Sequence, residues 1–207
     1  MSLTFYYAPM STASVTSLVL AELDIPHERV RVDLAQGGSK TPEFLKLNPN
    51  GKVPVIVHDG TVVFESSAIT MYLGEAFGVA KKVYPEPGPR RGEAMKWIAW
   101  ANVTLGEAIG RWARNTLDWF PADQRNAKAG ERARQEIDDC FRILDGSLEG
   151  RQFVAGDYTL ADAHLRSFID WASSLSLDTS SYPRLAAWAA RCAERPGYRK
   201  YMAEAKS

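Results

Sequence analysis

Two periodicities divide this chain: short alternating runs mixed with helical spacings up to residue 80, and helical spacing alone beyond residue 90. Leu3 to Tyr7 reads as a strand, followed by the small, polar segment Pro9-Met10-Ser11-Thr12. Val15, Leu18, Val19 and Leu23 then share one helix face, and Asp24-Ile25-Pro26 ends that helix. Val30 and Val32 alternate with Arg29, Arg31 and Asp33, which predicts a second strand. A β-α-β unit of this length implies a parallel pair with a helical crossover. Thr41-Pro42-Glu43 predicts a helix start, with threonine as cap and proline in the first turn. Asn48-Pro49-Asn50-Gly51 ends it quickly. Val53 to Val57 and Thr61 to Phe64 are joined through His58-Asp59-Gly60, and Asp-Gly between apolar runs predicts a hairpin. Ile69, Tyr72, Leu73 and Ala76 return to helical spacing. The order is β-α-β, a short helix, then β-β-α, so parallel and antiparallel pairing share one sheet.

Gly78 to Pro89 carries Pro85, Pro87, Gly88 and Pro89 and has the composition of a linker. After it come apolar stripes at helical spacing: Trp97, Ala101, Leu105, Ala108 and Trp112; then Ala133, Ile137, Cys140, Phe141, Leu144 and Leu148. Leu160, Ala163, Phe168 and Trp171 form a third stripe. Thr159-Leu160-Ala161-Asp162 in front of it is a capping box, a folding device rather than a catalytic one. Tyr182-Pro183 opens a helix bearing Leu185, Trp188, Ala189 and Cys192, which Arg195-Pro196-Gly197 closes. The pattern predicts an α/β domain over 1–80, a linker over 81–89 and an all-helical domain over 90–207.

Composition narrows the function. Lys plus Arg and Asp plus Glu are 25 each, so no basic excess draws the chain to nucleic acid or an anionic membrane. The start, MSLTFYYAPM, lacks the basic and long apolar regions of a leader, and no run approaches the length that spans a bilayer. The expected location is the cytoplasm. Cys140 and Cys192 lie far apart on apolar stripes and read as packing thiols. His27, His58 and His164 are isolated, so no metal site is expected.

Pro54 interrupts an otherwise good strand. From the residues alone, a trans proline at the start of an edge strand is the simpler reading. The other is a cis Val53–Pro54 bond, leaving the N–H and C=O of Val53 free to pair with an extended peptide. Asn48-Pro49-Asn50-Gly51-Lys52-Val53-Pro54-Val55, followed by Glu65-Ser66-Ser67-Ala68-Ile69, resembles the glutathione-binding signature of the glutathione transferases, in a bacterial, serine- or beta-like form. The domain order and linker match that family as well. The resemblance implies an N-terminal thioredoxin-like domain, a C-terminal helical domain, a cis Pro54, and Val53 paired with the cysteinyl part of glutathione. It also implies a twofold homodimer.

Each group of glutathione needs a partner. Ser66 at a helix start suits the γ-glutamyl carboxylate, although plain capping is the bland account of a serine there. Glu65 suits the ammonium, and the resemblance sets Lys52 against the glycyl carboxylate. The thiol must ionise: lowering its pKa of ~8.5 by two units corresponds to ~2.7 kcal/mol. A hydroxyl hydrogen bond of roughly 1.5–3 kcal/mol plus a helix dipole of ~0.3–1 kcal/mol has that size. Ser11 is the first choice for the hydroxyl, then Thr12, then Ser14 and the Tyr6/Tyr7 pair. Met10 falls where beta-like members often carry cysteine, which argues against thiol–disulfide exchange through a protein thiol. A pocket for a small hydrophobic electrophile is expected between the Tyr7–Ser11 loop and the first long helix of the second domain, with Tyr7, Met10, Asn102, Leu105 and Ile109 as candidates beside Trp112 and Arg114. Gly106 lies near a position that is polar or histidine in beta-like members. The expected activity is glutathione S-transfer. The alternatives are glutathione-dependent isomerisation, dehalogenation or peroxide reduction on the same fold, or a non-catalytic binding protein.

Overall fold

The computed structural model describes residues 2–204. Its sheet has the order β2-β1-β3-β4. Strand β1 (Leu3–Tyr7) pairs parallel with β2 (Glu28–Arg31), Tyr6 opposite Val30. It pairs antiparallel with β3 (Val55–His58), which forms a hairpin with β4 (Thr61–Phe64). Alternation decides which face is covered: Leu3 and Phe5 are buried while Thr4 and Tyr6 are half-exposed. The hairpin turn places Asp59 at φ 47° and Gly60 at φ 85°, the left-handed pair that a tight turn requires.

Among the described residues, three α-helices and a short 3-10 turn (Gly38–Lys40) complete this half. Helix α1 (Ala13–Leu23) supplies the β1–β2 crossover and stops at Asp24, which turns to φ 44°. Helix α2 (Pro42–Leu47) starts as expected, with Thr41 Oγ1 accepting from the Phe44 N–H. Helix α3 (Ser66–Leu73) runs into a widened π-helical turn over Gly74–Gly78. The proline-rich connector that follows is packed rather than free: Tyr84 is buried, and the Val83 carbonyl accepts from the Leu160 N–H at 2.8 Å.

The second half is helical. Helix α4 (Pro89–Trp100), a π-helical stretch (Ala101–Gly106) and α5 (Glu107–Thr116) form one continuous rod. Helix α6 (Ala127–Ser147) packs along α5. Helix α7 (Leu160–Ser174) is almost wholly buried and packs on α1. Its capping box is formed on both sides. Beyond capping, Asp162 accepts from the Val154 N–H at 3.0 Å and from the Trp188 indole N–H at 2.9 Å.

Helix α8 (Pro183–Ala193) is followed by a helix that the sequence reading missed, α9 (Pro196–Glu204). Arg195-Pro196-Gly197 looked like a terminator, but proline in a first turn starts a helix as readily as it stops one. Helix α9 packs on α1, where Arg195 pairs with the nearly buried Glu22 at 2.9 Å and lies over the Tyr158 ring at 3.8 Å. Among the described residues, no helix is long and apolar enough to cross a membrane.

Candidate functional site

A cleft of about 330 Å³ lies between the two halves. Its first wall is the turn before β3. Asn48, nearly buried, donates from Nδ2 to the Lys52 carbonyl at 2.7 Å and accepts the Asn50 N–H at 3.0 Å. Gly51 holds φ +59°, and a Cβ there would come within 2.8 Å of the Ser39 carbonyl, so the turn closes only around glycine. The Val53–Pro54 peptide that follows is cis, contrary to the simpler reading of the residues alone. Val53 and Pro54 precede the β3 ladder, whose pairing begins at Val55. The Val53 carbonyl is not free as expected: it accepts from the Thr12 hydroxyl at 3.3 Å.

The second wall is the start of α3. Glu65 sits at φ 70°, which a non-glycine residue adopts at some cost, and such positions concentrate at ligand clamps. Its carbonyl accepts the Ile69 N–H, so the helix begins with Ser66 facing the cleft. Lys52, Val53, Pro54, Glu65 and Ser66 line one cavity together with Thr12 and Asn102. Asn102, in the π-helical stretch, donates from Nδ2 to Ser66 Oγ at 2.9 Å. Across from them are Gly106, Glu107, Gly110, Arg114, Phe168 and Trp171.

A larger, mostly apolar cavity of about 830 Å³ adjoins it and shares Thr12, Gly110, Arg114, Phe168 and Trp171. Met10 and Ser11 lie on its rim, and Trp119, Phe120, Tyr198, Tyr201 and Met202 add aromatic and thioether surface. Helix α9 supplies three of these residues, so the missed helix was also a missed wall. Ser14 borders this cavity and its hydroxyl is 3.0 Å from that of Ser167.

Four of the five electrophile-pocket candidates lie outside the larger cavity. Leu105 and Ile109 are fully buried and line neither cavity. The face of the rod that opens on the cavities carries Gly106, Gly110 and Arg114 instead. Tyr7 stacks on Phe5 at 5.6 Å beneath the Arg29 guanidinium and also lines neither. Asn102 belongs to the smaller cleft, not the apolar one.

The hydroxyls at α1 differ in position. Ser11 Oγ donates to the Ala8 carbonyl at 2.7 Å and accepts from the Ala13 N–H at 3.2 Å. It is therefore the local cap of α1. The Thr12 side chain makes no capping bond and borders both cavities. The cysteines stay out of the site. Burial pushes the Cys140 thiol up to about 11 and moves Cys192 higher still. His164, read as isolated, is wholly buried, 2.6 Å by Nε2 from Asn102 Oδ1 and 2.8 Å by Nδ1 from Thr70 Oγ1. Among the described residues, no group of three or more His, Cys, Asp and Glu is placed to hold a metal ion.

The two halves match known family models: the glutathione S-transferase N-terminal domain over residues 1–75 and its C-terminal domain over 109–196. The chain belongs to the glutathione S-transferase family. Among its relatives, the glutathione S-transferase GstB of Escherichia coli K12 is 33% identical over 188 residues, 89% of each chain. The disulfide-bond oxidoreductase YfcG of the same strain is 29% identical over 199 residues, covering 92% of this chain and 90% of its own. Among solved structures, the Phanerochaete chrysosporium glutathione transferase URE2P6 in complex with oxidised glutathione superposes with a TM-score of 0.90. That pair is 26% identical, covering 99% of this chain and 96% of the other. The thioredoxin-like sheet domain and helical domain are thus the family's architecture.

Proposed function

We propose that the chain binds glutathione in the smaller cleft and transfers its sulfur to an apolar electrophile held in the larger one. The γ-glutamyl carboxylate meets Ser66 and the free N–H groups opening α3, the ammonium meets Glu65, the cysteinyl backbone pairs with Val53, and Lys52 meets the glycyl carboxylate. The observation that carries this reading is that Thr12 borders both cavities beside the Val53 carbonyl. A cysteinyl unit paired with Val53 points its sulfur at that junction. Thr12 rather than Ser11 then donates the hydrogen bond that stabilises the thiolate. Ser11 is held by two local backbone bonds. The Thr12 hydroxyl has one long bond, to the Val53 carbonyl at 3.3 Å, which it exchanges for the sulfur when the cysteinyl N–H takes up that carbonyl. The thiolate displaces a leaving group from an electrophilic carbon: one C–S bond forms, the bond to the leaving group breaks, and the thiol proton departs to solvent. The same reading takes the protein to be a cytoplasmic homodimer divided near 81–89. Elution as a monomer in gel filtration would count against the dimer.

The test compares Thr12→Ala and Ser11→Ala in conjugation of 1-chloro-2,4-dinitrobenzene. Losing a charged hydrogen bond of roughly 1.5–3 kcal/mol lowers kcat/KM by about 10- to 150-fold in Thr12→Ala, with the kinetic pKa of the bound thiol raised. Ser11→Ala should lose less than Thr12→Ala, through the cap. Full conjugation by Thr12→Ala would refute its role, and the larger loss in Ser11→Ala would return the role to Ser11.

The similarity to YfcG over nearly the whole chain favours one second reading, glutathione-dependent disulfide reduction. With Met10 in the loop and both cysteines buried, no protein thiol serves it. Two glutathione thiols would supply the two electrons, giving two thiols from the substrate and one glutathione disulfide. Turnover of bis(2-hydroxyethyl) disulfide without turnover of the aryl halide would favour this reading.

A further inference from the structure

His164 has no surface of its own in the cleft, yet it stands one residue behind it. Asn102 Oδ1, an amide oxygen, only accepts, so His164 Nε2 at 2.6 Å carries the ring proton. Complete burial pushes the imidazole pKa down to about 3, so the ring is neutral and holds a single proton. Nδ1 must then accept, and the Thr70 hydroxyl at 2.8 Å donates to it. Asn102 in turn donates from Nδ2 to Ser66 Oγ at 2.9 Å. The chain of donors runs Thr70, His164, Asn102, Ser66, all in one sense. It starts on α3, crosses to α7 and the π-helical stretch, and returns to α3 at the cleft. With an Asn102 N–H directed at its oxygen, the Ser66 hydroxyl keeps its own proton for the cleft, although the residue is only 3% exposed.

We infer that His164 is a positioning residue for the small-molecule anion: through Asn102 it fixes the Ser66 hydroxyl as a donor to a ligand carboxylate. The inference rests on the reading above that Ser66 receives the γ-glutamyl carboxylate. A direct consequence is that the helical half, which does not itself touch that carboxylate through His164, sets the affinity for it. Without the imidazole, the Asn102 amide loses the partner that fixes which of its ends faces Ser66. The hydroxyl is then free to turn its proton onto the amide oxygen and away from the ligand.

The test is a double-mutant cycle read by calorimetry. His164→Phe keeps a ring but removes both nitrogens, and Ser66→Ala removes the terminal donor. Two ligands are titrated: glutathione, and an analogue whose γ-glutamyl α-carboxylate is converted to a carboxamide. His164→Phe should bind glutathione about ten-fold more weakly and the carboxamide analogue with little change. In the Ser66→Ala background the same substitution should add nothing. His164→Gln, with an amide N–H on a longer side chain, should recover part of the loss. Equal weakening for both ligands, or full additivity with Ser66→Ala, would overturn the proposal. Should His164→Phe not fold, Asn102→Ala enters the same cycle, and additivity there is equally fatal. Unchanged glutathione binding by Ser66→Ala alone would refute the carboxylate site itself.

Discussion

Replacing Asp162 by alanine tests whether the second half is held together at one buried carboxylate. The side chain is fully buried and accepts from the Thr159 N–H at 2.9 Å, the Thr159 hydroxyl at 3.2 Å, the Val154 N–H at 3.0 Å and the Trp188 indole at 2.9 Å. Its removal takes away half of the capping box, typically ~1 kcal/mol. It also strands the Val154 and Trp188 donors in the core, at roughly 1–3 kcal/mol each. Relief works the other way: burial is the largest influence on this carboxyl and raises its pKa, so deleting it removes a desolvation cost. The net loss comes to about 3 kcal/mol, and at roughly 2–4 °C per kcal/mol for a chain of this size the melting point falls by about 6–12 °C. Thermal unfolding followed by far-UV circular dichroism reads it directly. Thr159→Ala serves as the cap-only comparison and should lose about 1 kcal/mol. A melting point for Asp162→Ala within a degree or two of the parent would refute the argument. So would equal losses in the two variants, which would mean that the bonds to Val154 and Trp188 contribute nothing.

Other substitutions probe the joint between the halves and the open face of the long rod. Arg195→Ala leaves the Glu22 carboxylate, 2% exposed, without its guanidinium partner. Because the arginine is itself about one-third exposed, the loss should fall below the 3–5 kcal/mol of a fully buried pair, at about 2 kcal/mol, seen as a lower urea midpoint. Gly106→Ala would set a methyl 2.5 Å from Phe168 Cε1 and 3.0 Å from the Ala101 carbonyl. Overpacking of about 1–3 kcal/mol and an altered KM for the electrophile are expected, and unchanged stability together with unchanged KM would contradict the close approach. Cys140 and Cys192, buried and with thiols pushed up in pKa, should leave 5,5′-dithiobis(2-nitrobenzoate) unreacted at pH 8 in the native protein and titrate only on unfolding; rapid labelling of the folded chain would contradict their burial.

What the amino-acid sequence determined by itself is what depends on neighbours along the chain. The hairpin needed only Asp59-Gly60 between apolar runs, α2 only Thr41-Pro42, and α7 only Thr159 with Asp162, because turns and caps are closed by residues within a few positions of each other. The grouping of Lys52, Val53, Glu65 and Ser66 was legible only through the resemblance of their two segments to the family's glutathione-binding signature, and the cavity they line together agrees with it. Where reading failed, the deciding contact lay far off in the chain. Leu105 lies on the apolar stripe with Ala101 and Ala108 and is buried together with Ile109 one turn further. The face of the rod that borders the cavities was decided by what packs across it, Phe168 and Trp171 of α7. Helix α9 is fixed by packing on α1, some 170 residues earlier, as the Glu22–Arg195 bond records with a separation of 173. The Ser11 and Thr12 hydroxyls both donate to backbone carbonyls, but only that of Thr12 reaches a distant segment, at Val53, a contact that no spacing along the chain shows. His164 looked solitary because its partners, Thr70 and Asn102, are 94 and 62 residues away. Only the packing of α7 against the sheet domain and the rod brings them within hydrogen-bond reach, and burial there leaves an uncharged, fully partnered ring as the stable state.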